Sequence, residues 1–128
     1  MTIDDRGSIT ALVVGLVMTF VACAGLAVDG GRLVTAKVRA SDRAENAARL
    51  GAQAVTGLRL GVPEVDERRA VRIAGEFLES FGASGNVEAN QYEVCVAIRE
   101  QVEMTLLGLV GVGPKSVGER RCARPIME

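Results

Sequence analysis

Residues 9–28, reading Ile9-Thr-Ala-Leu-Val-Val-Gly-Leu-Val-Met-Thr-Phe-Val-Ala-Cys-Ala-Gly-Leu-Ala-Val28, contain no charged side chain. At about 1.5 Å per residue this run makes a helix of about 30 Å, the thickness of a bilayer's hydrocarbon core. Arg6 stands before it and Asp29 ends it. Such a segment needs lipid or other apolar helices around it. The chain is therefore expected to be a membrane-anchored object, with membrane lipid as its first partner.

Three fates fit the run. A cleaved signal peptide finds its small-x-small pattern in Ala22-Cys23-Ala24, but residues 1–6 hold two acids and one base where a signal wants a basic start. A lipoprotein signal would use Phe20-Val-Ala-Cys23, with an unfavourable Phe in its first place. A retained helix accounts for the pattern best. Ala11, Gly15 and Thr19 recur every four residues, Ala22 and Cys23 continue that face, and Leu12, Leu16 and Phe20 form a bulky stripe beside it. A ridge of small residues lets a second helix approach closely in a bilayer. Orientation is left open. Arg32, Lys37, Arg39 and Arg43 after the run favour a cytoplasmic carboxyl end, whereas a cysteine pair in the head favours the other side.

No proline precedes Pro63, so helix is expected from Gly7 to about Leu58, with a bend where Gly30 and Gly31 each weaken it by about 1 kcal/mol relative to Ala. Leu33, Ala40, Ala44, Ala47, Gly51, Ala54 and Leu58 make one narrow, mostly small face along the stalk, along which a partner helix could pack. Gly61-Val-Pro63-Glu64 reads as a break, with Pro63 near the start of a second helix carrying Ala70, Val71, Ala74, Phe77, Leu78 and Phe81 on its apolar side. Gly82-Ala-Ser-Gly-Asn86 ends that helix. Tyr92, Val94, Val96 and Ile98 then alternate as a half-buried strand, Gln101 to Thr105 extend it or form another, and Ser116 to Arg124 form the last. Between these, Leu106 to Pro114 is an apolar, glycine-rich loop or short helical turn. The fold expected is α+β: a transmembrane and stalk helix within 8–60 and a small head over 61–128 with one helix and about three antiparallel strands.

The head has little aromatic surface with which to build a core. The whole chain holds three Phe, one Tyr and no Trp, and Phe20 lies in the apolar run. Of its three cysteines, Cys95 and Cys122 are the pair outside the membrane segment. Joined, they close a loop of about 28 residues, stabilising by roughly 3–4 kcal/mol in the chain-entropy model. Two buried free thiols are the other reading. Residues 29–60 are net basic and residues 61–128 net acidic, so that stacked copies could set one region against the other, or both could simply be solvated.

There is no histidine, no phosphate-cradling glycine motif and no residue set with the spacing of a catalytic, cofactor or metal site. Glu64, Asp66 and Glu67 read as dipole-favoured acids at a helix start. Arg68, Arg69, Arg72, Arg120, Arg121 and Arg124 sit in a net acidic head with one tyrosine for stacking, which argues against nucleic acid as a partner. The expectation is a protein that is not an enzyme.

Arg6-Gly7 before the apolar helix, Gly25-Leu-Ala-Val-Asp29, Gly31-Arg32-Leu33 and Ala44-Glu-Asn-Ala-Ala-Arg-Leu-Gly-Ala52 resemble the amino-terminal region of TadE/TadG-like Flp-pilus assembly proteins. Asp29 and Arg32 give the likeness its specificity, and a Val-rich strand followed by Leu106-Leu-Gly108 extends it loosely into the head. The resemblance implies a pilin-like, single-pass bacterial envelope protein, with residues 1–7 as a leader-like cytoplasmic segment and its head outside the cytoplasmic membrane, or in an extracellular pilus. Pilus subunits and assembly-platform proteins of the Tad/Flp system would be its partners. It also nominates Gly7-Ser8 as a prepilin-peptidase junction. Prepilins usually carry Glu at the fifth mature position, where this chain has Leu12, so an uncleaved membrane-resident factor stands beside a filament subunit. The expected function is that of a minor pilin or pseudopilin acting by helix packing through Ala11, Gly15, Thr19, Ala40, Ala44, Ala47 and Gly51. A membrane-tethered or lipid-anchored envelope binding module is the alternative.

Overall fold

A computed structural model describes residues 6–126, so most of the leader-like segment 1–7 lies outside the described residues. Helix α1 runs from Arg6 to Ala52 and is continuous through Gly30 and Gly31. Its two halves differ in what surrounds them. Between residues 9 and 28 every residue except Gly25 is exposed. Among the described residues α1 is the one helix long and apolar enough to cross a membrane, with a window of mean hydropathy 2.5. From Ala36 onward one face is buried, at Ala36, Ala40, Ala44, Ala47, Ala48 and Ala52. The recurrence of these positions is that of a helix with one covered side.

The helix stops short of Leu58. Val55 and Thr56 are β-branched and Gly57 takes a positive φ of 77°. Val55–Thr56 (β1) pairs antiparallel with Glu64–Val65 (β2) across a 3-10 turn at Leu58–Leu60. Leu58 and Leu60 are exposed there, so the small-residue stripe of α1 does not extend to Leu58. Pro63 precedes β2 rather than starting a helix. Asp66 begins the second helix instead, its side chain accepting from the Arg69 amide at 3.1 Å. Helix α2 spans Glu67–Ser80 and buries Ala70, Ala74 and Leu78. Ile73 and Phe77 pack at the edge of the core, whereas Val71 and Phe81 are more exposed than their helical register suggests. Its end is closed by Ala83 donating to the Leu78 carbonyl at 3.0 Å and Gly82 to Glu79 at 2.9 Å, a Schellman arrangement.

Three strands form the main sheet in the order β3-β4-β5: Gly85–Ala89, Val94–Val102 and Lys115–Ala123, all antiparallel. β3 is not among the strands expected from the sequence: Gly85 and Asn86, expected only to end α2, open it instead. Gln101 and Val102 continue β4 rather than making a strand of their own. Tyr92 stands outside the strand, in a turn where the Asn90 carboxamide accepts from the amides of Tyr92 at 2.8 Å and Glu93 at 2.9 Å.

Val94, Val96 and Ile98 point to the covered face of the sheet and meet the alanine faces of α1 and α2 in one core. Val94 and Val96 are the largest apolar side chains buried without remainder, each contributing on the order of 1.5–2 kcal/mol. With alanine on both helices, backbones carry the packing. A Cβ on Gly51 would meet the Ala70 carbonyl and Val94 Cγ1, both at 3.1 Å. Cys95 stands opposite Cys122 in the β4–β5 register, and the two are bonded. Lys37 and Arg121 both reach Glu119, at 3.5 and 3.6 Å, so part of the basic middle region is answered within the same chain.

Candidate functional site

Where α1 changes from bare to covered, Asp29 has no exposed surface. A carboxylate in that position is costly unless its oxygens are satisfied. The connection between β4 and β5 supplies the donors. The Thr105 amide donates to Asp29 Oδ1 at 2.9 Å and the Leu107 amide to Oδ2 at 2.7 Å. Leu107–Val110 forms a 3-10 turn, so the carboxylate occupies the end of a turn whose first amides lack internal acceptors. One turn of α1 further on, the Arg32 guanidinium donates to the Thr105 hydroxyl. One turn earlier, Gly25 brings the helix backbone against the loop: a Cβ there would stand 3.5 Å from Leu106 Cβ and from Leu107 Cδ2.

These contacts set the electrostatics of the junction. The Leu107 amide lowers the pKa of Asp29 most, and burial works against it. The amides of Thr105 and Leu106 and the Arg32 charge add to the lowering, so the carboxyl titrates below its ordinary range. At neutral pH Asp29 is an anion held by backbone dipoles, a latch between the end of the uncharged run of α1 and a loop 76–78 residues away in sequence.

Residues 7–54 match the Tad family model, described as putative Flp pilus-assembly TadE/G-like. The TadE/G-like segment thus covers α1 and the residues just past its end, and Gly25, Asp29 and Arg32 all lie within it. No curated protein and no solved structure matches the chain.

The other residues singled out in the sequence separate into three places. Gly7 and Ser8 lie exposed in the first turn of α1, with Ala11, Gly15 and Thr19 exposed above them. The Thr19 hydroxyl donates to the Gly15 carbonyl at 2.8 Å, which satisfies it within the helix. Ala40, Ala44, Ala47 and Gly51 are buried beneath the chain's own α2 and sheet, so the close approach expected of that face is made internally rather than to a second chain. Cys95 and Cys122 form the disulfide, leaving Cys23 free and exposed on the bare half of α1. Among the described residues, no group of three or more His, Cys, Asp or Glu is placed to hold a metal ion. In the sequence Gly25, Asp29 and Arg32 stand out as family-motif residues, Thr105 as the end of a strand candidate and Leu107 in an apolar loop, and none of them has a task there. An acid and a base one turn apart at the end of an apolar run were the available signal. Their partners were not visible, because two of them are backbone amides.

Proposed function

We propose that this protein is a minor pilin or pseudopilin-like subunit that works in assembly of a Tad/Flp-type pilus or secretion system. The TadE/G-like match over residues 7–54 carries the proposal and supports a role in Flp/Tad pilus assembly. The bare half of α1 fits a single-pass membrane anchor. Its task is to hold the subunit in the bilayer and to present Ala11, Gly15 and Thr19 to neighbouring helices of pilus subunits or of the assembly platform. The Cys95–Cys122 bond favours an oxidising compartment for the head, hence an extracytoplasmic orientation. Gly7-Ser8, exposed at the start of α1, is the junction a prepilin peptidase would cut.

Crosslinking in membranes, followed by pull-down and mass spectrometry, tests the reading. Pilus-assembly components should be recovered with the wild-type chain. They should be lost with Gly15→Leu, which fills the ridge while leaving insertion intact. Recovery that Gly15→Leu does not change would remove the ridge from the proposal, and recovery of no such component would remove the proposal itself. Intact mass then separates the fates of the amino terminus: loss of residues 1–7 marks prepilin processing, and loss of residues 1–22 with lipid mass on Cys23 marks a lipoprotein.

A further inference from the structure

The β4–β5 connection includes eleven consecutive uncharged residues, Met104 to Pro114, bounded by Glu103 and Lys115. Asp29 and Arg32 tie its first part to α1, and its tip is left bare: Leu109 is 83 % and Val110 76 % exposed. Its level along α1 matters most. Leu106 and Leu107 lie against Gly25, which stands three positions inside the last uncharged residue, Val28. At about 1.5 Å per residue the loop reaches about 5 Å past the end of the charge-free run, on its apolar side. Helix α2 ends much higher. Its neighbour Phe81 lies under Arg43, about 20 Å up the α1 axis from Asp29. The β4–β5 connection is thus the part of the head that descends to the level of the apolar run.

We propose that this loop dips into the surface of the bilayer that α1 crosses, with Leu109 and Val110 as the inserted side chains. The inference rests on α1 being a membrane helix. Lipid is the occupant the structure favours for three reasons. The loop meets α1 at Gly25, inside the bare apolar run, through Leu106 and Leu107, and its exposed tip follows two residues later. No charge interrupts residues 104–114. The Asp29 latch also fixes the loop to the helix, so a helix placed in the bilayer carries the loop to the boundary between headgroups and acyl chains. Two attachments, one spanning and one interfacial, would hold the head against the membrane at a set tilt rather than swinging on α1.

The chain contains no tryptophan, so single reporters can be placed without background. Leu109→Trp, Val110→Trp, Phe20→Trp and Tyr92→Trp variants of the full chain are reconstituted in phosphatidylcholine–phosphatidylglycerol vesicles. A fraction of the lipid is brominated either near the headgroup or near the chain end. The Leu109→Trp and Val110→Trp reporters should emit at shorter wavelength than Tyr92→Trp and be quenched more by shallow than by deep bromine. Adding Asp29→Asn to Leu109→Trp should reduce that quenching. Loop reporters that match Tyr92→Trp while Phe20→Trp is quenched would overturn the proposal and leave the membrane helix standing. Blue-shifted but unquenched loop reporters would also overturn it, showing protein rather than lipid over the tip. An unquenched Phe20→Trp would take the membrane reading away, and the loop proposal with it.

Discussion

Asp29 is a residue whose identity matters atom by atom. Both carboxylate oxygens accept from backbone amides, and the charge strengthens each bond. Asparagine keeps one acceptor and turns an N–H₂ toward the other amide. Asp29→Asn should therefore release the loop, seen as at least about tenfold faster hydrogen exchange at the amides of Thr105 and Leu107, with exchange in β4 unchanged. The pH dependence follows from the lowered pKa. A depressed folded-state value stabilises the latch fully above the ordinary carboxylate range, and the contribution is lost as pH falls through the depressed value. Loop protection in the wild-type protein should therefore persist through mildly acid pH and fail only below that range, whereas Asp29→Asn should show no such step. Gly25 gives a second test. An added Cβ would sit at ordinary contact distance from the loop, so Gly25→Ala should be tolerated, and helix propensity favours it by about 1 kcal/mol. Gly25→Leu has no room and should displace the loop, with the same exchange signature as Asp29→Asn.

At the scale of elements, alanine on two helices faces valine and isoleucine on one sheet. Small side chains let α1 approach α2 and β4 closely, but each buries little apolar area. Few large side chains are buried, so the Cys95–Cys122 bond weighs heavily. Replacing both cysteines by serine should lower the stability of the head by about 3–4 kcal/mol, read as an earlier urea midpoint for protease susceptibility in detergent. The surface ion pairs carry less. Arg72–Glu76 at 3.1 Å and Arg120–Glu88 at 3.0 Å are mostly exposed, and pairs of that kind contribute about 0–1 kcal/mol.

Across the whole molecule, α1 is a single helix with two environments. Its upper half is the spine of the head, sharing a core with α2 and the sheet. Among the described residues, its lower half carries no protein cover except where the loop meets Gly25. A separate stalk with its small face free along its length does not exist in this arrangement. The exposed apolar surface of α1 is its lower half, residues 9–28, which is the surface the proposed helix packing would use. Cys23 provides a native probe of that surface, since it is free, exposed and on the face of Ala22 and Thr19. Mild oxidation in membranes should give a Cys23-linked dimer if copies meet through this ridge, and Gly15→Leu should reduce that dimer several-fold. A dimer yield untouched by Gly15→Leu would mean that Gly15 does not set the approach of the copies.

The sequence by itself determined the features that depend on local pattern. An uncharged run of bilayer length, the apolar stripe of α2, the alternation of Val94, Val96 and Ile98, and the TadE/G-like motif are all written in consecutive residues. β3 was not legible, because Gly-Asn-Val-Glu-Ala has little strand propensity and pairs only because β4 offers its edge. The end of α1 was not legible either, because Val55 and Thr56 leave the helix to pair with residues beyond a turn. The tertiary structure alone decided that the alanine face of α1 is filled by the chain's own head, and what Asp29 holds. Periodicity shows that a face is apolar or that a charge interrupts it, but not which distant segment will cover the one or donate to the other.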